Sequence, residues 1–428
     1  MVILKAYHQK IVTSATSYFM NQYTKHYLNV HTEAKEGLPP PLSNKKYLLY
    51  MHVPFCMMFC PYCSFNKFTY TKEASTKYFK RLREELLQVK ALGYDFNYLV
   101  IGGGTPLIDE EELICTIELA KKLFSIDNVS CESDPNHIGQ ETIKKLDGLV
   151  DRLSVGVQTF DDTLLKKIGR YEKFGSGDAI YQKIDQMLGM LPITSVDLIF
   201  NFPTQTKEGL IHDLEMLQSL NPEQTSIYPL MASSMTKNSL KKTLGEFSMS
   251  NEYTYFNIIK ETLKRTYPSQ HGWSYSKESN VIIDEYIIDN EEYVGIGSGA
   301  FSFLNETLYL NEFALDAYDE LIATKGSAVI RQRTFPRLSQ MYYRMMVDLF
   351  NGKLSKKRFE HLFGTSIDKA LGKELTLLKF AKAIKENKES ITTTEFGNYL
   401  FMMMMKEFYM GMDIIRATER KKIASLLG

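Results

Sequence analysis

Between residues 47 and about 230, short apolar runs alternate with amphipathic helical stretches, and this alternation limits the possible folds more than any other feature of the chain. The runs YLLYMHV (47–53), NYLVIGGG (97–104), VSCESDP (129–135), RLSVGV (152–157), SVDLIFN (195–201) and QTSIYPL (224–230) read as buried strands. Helical patterns separate them at 75–92, 110–124, 161–169 and 207–220. Strands alternating with helices predict βαβ units around a parallel sheet. Six repeats curl into most of a barrel but fall two short of a closed eightfold one. The expected fold class is therefore α/β, a partial (β/α)6 barrel. Ligands of such sheets gather at the C-terminal strand ends, where this chain carries Cys56, Gly102 to Thr105, Glu132, Gln158 and Asp197.

The remainder divides around that core, expected at 47–232. Residues 1–46 read as an N-terminal extension ending in the Pro-rich GLPPPLSNKK. The region 233–330 is less regular, carries the glycine-marked YVGIGSGAF (293–301), and is expected to complete the barrel and cover the substrate. From 331 to 428 the patterns at 340–350 and 373–387 predict a mainly helical C-terminal domain. With 51 basic against 51 acidic residues, nothing points to a nucleic-acid or polyanion partner. The N-terminus lacks a signal-peptide pattern, and the apolar run Tyr399 to Met405 is far short of the roughly 20 residues a membrane span needs. A cytoplasmic protein without a membrane span is expected.

Five cysteines do not make a disulfide scaffold, and three of them fall within eight positions. Cys115 and Cys131 stand alone and read as small buried hydrophobes. His52-Val-Pro-Phe-Cys56-Met-Met-Phe-Cys60-Pro-Tyr-Cys63 has the spacing C-x3-C-x2-C just after a predicted strand. Three thiolates wrapped around one face of a cubane cluster leave one iron without a protein ligand, as catalytic zinc sites keep an open position. A zinc site would want a fourth ligand. His52 could serve, but it lies within the predicted strand, and the chain has no second C-x2-C. Unliganded thiols are the remaining alternative.

With Tyr62 before its third cysteine, the motif resembles the radical S-adenosylmethionine (SAM) signature. The order YMHVPFCMMFCPYCSFNKF, IGGGTP, ESDP, RLSVGVQTFDDTLLKKIGR and VDLIFNFPTQT resembles the oxygen-independent coproporphyrinogen-oxidase-like group, which holds both the decarboxylating dehydrogenase and haem chaperones. The resemblance is strong over 46–232 and weaker beyond. It implies a [4Fe–4S] cluster on Cys56, Cys60 and Cys63, with SAM bound to the open iron through its amino and carboxylate groups. Cluster reduction would then cleave SAM to a 5′-deoxyadenosyl radical. It further implies a tetrapyrrole ligand and a low-potential electron donor such as flavodoxin or ferredoxin.

The same resemblance implies the SAM contacts. Gly103, Gly104 and Thr105 would meet the methionine amino group, although a tight strand-to-helix turn also needs glycines. Glu132 would pair with the ammonium, Gln158 would approach the ribose and carboxylate, and Arg170 would offer forked donors to the carboxylate. Asp197, costly inside an apolar run unless paired, would contact the adenosine ribose, and Tyr50 would lie beside SAM. No role is expected for His137 or His271.

Two departures blur the reaction. The decarboxylating branch carries a further cysteine two positions after the third, where this chain has Phe65. The chaperones carry a downstream His-Asn-x-x-Tyr-Trp segment that HGWSYSKESNVIIDEYIIDNEEYVGIGSG (271–299) lacks. The leading expectation is a radical SAM oxidoreductase acting on a porphyrin or porphyrinogen. A haem-trafficking protein and an anaerobic haem-degrading enzyme or methyltransferase are the alternatives.

Overall fold

The computed structural model describes residues 2–427 except 29, 31, 35–36, 44, 234–235, 249, 279–286 and 289; side chains are described outside 2–8, 10, 25–27 and 421–427. Part of the 271–299 stretch read above thus lies outside the described residues.

Six parallel strands pair in sequence order: β1 (Tyr47–Val53), β2 (Phe96–Gly103), β3 (Asn128–Ser133), β4 (Arg152–Gln158), β5 (Ile193–Phe200) and β6 (Gln224–Pro229). Their side chains are buried on both faces, as in β1, whose seven residues are all buried except the half-buried Tyr50. Parallel sheets covered on both sides require such runs. The covering helices start where the sequence supplies caps. Thr71 accepts from the Ala74 amide at the head of helix Lys72–Ala91, and Thr206 from the Gly209 amide at helix Lys207–Leu220.

Among the described residues the sheet reaches thirteen strands, with Thr32–Glu33 at one edge. Beside β1 it continues through Tyr293–Ile296, parallel to β1, and then the antiparallel Phe301–Leu304, Thr307–Asn311 and Val329–Thr334. Beyond β6 it ends in Ser274–Ser276 and Ser269–His271. The six parallel repeats and the helices that follow are the α/β partial barrel with a helical C-terminal part that the sequence predicts.

Two details differ. The expected helix 373–387 ends at Phe380; Lys382 turns the backbone to φ +57°, and Ile384–Glu386 joins a three-stranded antiparallel sheet with Lys353–Ser355 and Ser390–Thr393. Cys115 is exposed rather than buried, because helix Glu110–Leu123 turns Leu113, Ile117 and Ala120 to the core and leaves Cys115 on its outer face. Cys131, within β3, is buried as expected.

The N-terminal helix Val2–Tyr27 packs along the C-terminal helix Glu395–Leu427, which also meets helix Arg337–Phe350. A fully buried Lys406–Glu252 ion pair, with the Asn201 amide 3.2 Å from the same carboxylate, ties the C-terminal helix to the loop after β5. No described helix is long and apolar enough to cross a membrane.

Candidate active site at the C-terminal ends of the strands

A cavity of about 1120 Å³ opens at the C-terminal ends of the parallel strands. Cys56, Cys60, Cys63, Tyr50, Gly103, Gly104, Thr105, Glu132, Gln158, Arg170 and Asp197 all line it, so the expected cluster ligands and SAM contacts share one space. Its opposite wall is aromatic and Met-rich, with Phe19 and Tyr23 from the N-terminal helix and Met345, Phe408 and Met412 among those from the C-terminal part.

The cysteine loop is fastened at both ends. Cys56 closes the short strand Phe55–Cys56, which pairs with Phe68–Thr69, and the Tyr70 amide donates to the Cys56 carbonyl at 3.1 Å. The Cys63 amide donates to the Cys60 carbonyl at 3.2 Å, folding the C-x2-C end into a turn. Between them Met57, Met58 and Phe59 are exposed. Burial, then the neighbouring Cys63, push the Cys56 thiol up to about 11. Burial also opposes ionisation of Cys60, but Arg170 and the Tyr62 hydroxyl bring its thiol below the ordinary value. Among the described residues no three His, Cys, Asp or Glu side chains group to hold a single metal ion. A cubane differs in taking its thiolates at separate corners.

Arg170 is buried, with Nη1 3.1 Å from the Tyr62 hydroxyl and 3.6 Å from the Cys60 sulfur, and Nη2 donating to the Gly156 carbonyl. Its Nε has no hydrogen-bond partner. A buried guanidinium with an idle donor beside three thiols is suited to receive an anionic group.

The glycine turn after β2 is built for close approach. Gly103 has φ +119°, its amide lies 3.1 Å from a Glu132 oxygen, and an added Cβ would meet the His52 ring at 2.6 Å. At Gly104 a Cβ would collide with the Phe55 carbonyl, whose oxygen accepts the Thr105 amide at 2.7 Å. The turn thus brings β2 against the start of the cysteine loop. A close glycine turn, a carboxylate, a guanidinium with an idle donor and three thiols fit an iron–sulfur cluster with an amino-acid-bearing ligand on it.

The end of β4 carries an irregularity in its pairing with β5 between Gly156 and Gln158, and Gln158 adopts φ +76°. Asp197 on β5 lies opposite Gly156, and both of its oxygens accept from the Ser154 hydroxyl at 2.8 Å. The carboxylate that the sequence makes costly inside an apolar run is therefore held by a neighbouring strand. Fully buried Arg152 underpins it, donating to Gln224, Ser130 and Ser154.

Sequence reasoning weighed His52 only as a metal ligand and passed over Asp134. His52 bridges the Tyr50 hydroxyl (3.0 Å) and the Asn66 carbonyl (2.9 Å), and burial, against the pull of that carbonyl, brings its imidazole down to about 4. Both ring nitrogens are engaged, which leaves neither to act as a fourth metal ligand. Asp134 accepts from Thr105 (3.2 Å) and pairs with His137 (2.7 Å) and Lys173 (3.1 Å). Burial works against its charge, yet His137 and Lys173 hold it well below the usual carboxylate range. Its place two residues after Glu132 in ESDP was the available signal. His271 contacts Asn351 and Ser269 instead of the cavity.

Comparison with known proteins agrees with this site. Residues 50–217 match the Radical SAM superfamily. The chain is 30% identical over 377 residues to the heme chaperone HemW of Lactococcus lactis subsp. lactis (strain IL1403), covering 82% of this chain and 95% of that protein. It is 26% identical over 417 residues to the oxygen-independent coproporphyrinogen III oxidase of Helicobacter pylori (strain ATCC 700392 / 26695), covering 86% of each. The solved structure of coproporphyrinogen III oxidase (HemN) from Escherichia coli shares the fold, with a TM-score of 0.71 at 20% identity over 85% of this chain and 90% of that one. The chain belongs to the radical SAM superfamily, in the group of HemW heme chaperones and oxygen-independent coproporphyrinogen III oxidases, and its cofactors are a [4Fe–4S] cluster and S-adenosylmethionine.

Proposed function

We propose that this protein is a radical SAM oxidoreductase of tetrapyrrole metabolism, abstracting hydrogen from a porphyrinogen or a related macrocycle. The observation that carries this reading is the single cavity joining the three cysteines to an aromatic and Met-rich wall. When bound, the cofactors would supply a 5′-deoxyadenosyl radical for hydrogen abstraction. The chain's own groups do the holding and positioning. Cys56, Cys60 and Cys63 would bind three irons of the cluster. Arg170, through its idle Nε, would take the SAM carboxylate. Glu132 and the turn at Gly103, Gly104 and Thr105 would take the ammonium, while Gln158, Asp197 and Tyr50 would flank the nucleoside end. Tyr62, whose hydroxyl receives the Arg170 Nη1, keeps that guanidinium against the cysteine loop. The apolar wall would exclude water and hold the reacting carbon close.

His52 does not offer itself as a haem ligand. It is the one histidine among the described lining residues, and neither of its nitrogens is available to a haem iron. The likeness to HemW supports a second reading, haem binding and transfer with the cluster and SAM site retained. The first reading calls for a low-potential donor such as flavodoxin or ferredoxin, and both suit the reducing cytoplasm.

Products separate the readings. Anaerobic, cluster-reconstituted protein would be given SAM, a reductant, and coproporphyrinogen III or haem. Vinyl products with CO2 support the first reading; bound but unchanged haem supports the second, and a linear tetrapyrrole supports ring opening. SAM cleavage indifferent to every one of these ligands would overturn the tetrapyrrole assignment.

A further inference from the structure

Four cations line the cavity among the described residues. Three stand at the cysteine end with their charge already directed. Lys67 donates to the Cys63 carbonyl at 2.5 Å, Arg170 reaches Cys60 and Tyr62, and Lys173 pairs with Asp134. Arg416 comes from the other wall, on the C-terminal helix Glu395–Leu427.

Its guanidinium is clamped between two rings, 5.2 Å from the centre of Phe65 and 5.3 Å from that of Phe301. Nη1 donates to Asp413 at 2.6 Å, and among the described residues its other N–H groups make no hydrogen bond. Arg416 is thus held in place by one carboxylate and two aromatic faces, with donors left over on a wall that also carries Phe408, Met412 and Met345. Its charge also reaches across the cavity to Tyr50, His52 and Tyr293.

We propose that Arg416 is the residue that reads a carboxylate of the substrate, fixing one acidic side chain of the macrocycle over the cysteine end of the cavity. The assignment rests on the tetrapyrrole reading above. A planar fork of donors matches a carboxylate in two places at once, which a lysine cannot do. Apolar contact with Phe408, Met412 and Met345 would hold a ring in many orientations; one forked contact selects among them.

The full chain with its cluster reconstituted would be titrated anaerobically with coproporphyrin III and, separately, with its tetramethyl ester, following porphyrin fluorescence. The wild type is expected to bind the acid about tenfold or more tightly than the ester, the scale of one charge-assisted contact. Arg416→Gln should remove that preference while the ester affinity and the cluster spectrum stay as they were. Arg416→Lys should restore part of it. Asp413→Asn, which releases the guanidinium, should strengthen acid binding alone and serves as the check if Arg416→Gln does not fold. Acid binding unchanged in Arg416→Gln, or acid and ester weakened equally, overturns the assignment and leaves the tetrapyrrole reading standing. A wild type that binds neither porphyrin overturns both.

Discussion

Nη1 of Arg170 lies 3.6 Å from the Cys60 sulfur and 3.1 Å from the Tyr62 hydroxyl, so one buried guanidinium joins the segment after helix Asp162–Lys167 to the cysteine loop. Replacing it by Gln removes charge from both the thiols and the proposed carboxylate site. SAM affinity should fall about ten- to a hundredfold, the range of a charge-assisted hydrogen bond. Equilibrium dialysis of labelled SAM on the reconstituted protein reads this directly, and an affinity within a factor of two of wild type would refute the contact.

Each cysteine holds a different part of the loop, Cys56 on a paired strand and Cys60 and Cys63 across a turn. Single replacements Cys56→Ala, Cys60→Ala and Cys63→Ala should each abolish the broad absorbance near 400 nm (about the region of thiolate-to-iron charge transfer) and the iron content. Cys115→Ala, on the outer face of its helix, should change neither. Iron retained in all three loop variants would mean that these cysteines are not the ligands.

The core strands and their crossovers were legible because apolar runs buried on both faces carry a strong local pattern; β1 was read to the residue. The cavity-lining set was legible because the topology sends all C-terminal strand ends to one side. What the sequence hid was pairing at a distance. Nothing local marks Asp134 as the partner of Lys173, 39 positions on, or His52 as a ring bound at both nitrogens. The Lys406–Glu252 pair, and with it the docking of the C-terminal helix on the barrel, depends on residues 154 positions apart. Cys115 was misread because a lone cysteine carries no sign of which helix face it occupies.

Asp213 shapes the turn beyond β4. Its carboxylate accepts from the Thr159 hydroxyl (3.0 and 2.9 Å) and the Phe160 amide (2.6 Å), just after Gln158. Burial raises it from 3.8 to about 7, against those hydrogen bonds. The folded state therefore keeps a proton that the unfolded chain releases. The stability from this group is full below about pH 4 and is lost as pH rises through about 7. Between pH 5 and 8 the loss should be on the order of 2 kcal/mol. Asp213→Asn should flatten that part of the profile in urea unfolding; an equally steep slope in the variant would rule Asp213 out as its source.

Asp134 works with the opposite sign. Its folded form is ionised well below the usual carboxylate range, because His137 and Lys173 outweigh its burial. Its stabilisation is present above the unfolded value of roughly 4 and disappears as pH falls below it. Asp134→Asn should therefore be less stable than wild type at pH 6, and the two should converge in acid. A gap that persists unchanged to pH 3 would show that the ion pair is not its cause.

Gly104 is the tightest position in the turn between β2 and the cysteine loop. A Cβ there would overlap the Phe55 carbonyl, and backbone cannot swing aside as a side-chain tip can. The displaced carbonyl is the acceptor of the Thr105 amide at 2.7 Å, and Phe55 precedes Cys56 directly. Gly104→Ala should thus push the first cysteine out of line with the other two while leaving the sheet paired. Lower iron occupancy and weaker SAM binding are expected, with far-UV circular dichroism close to wild type. Gly139→Ala, where an added Cβ meets nothing within 4 Å, should leave iron and SAM unaffected. If the two variants load iron equally, the glycine turn does not set the position of Cys56.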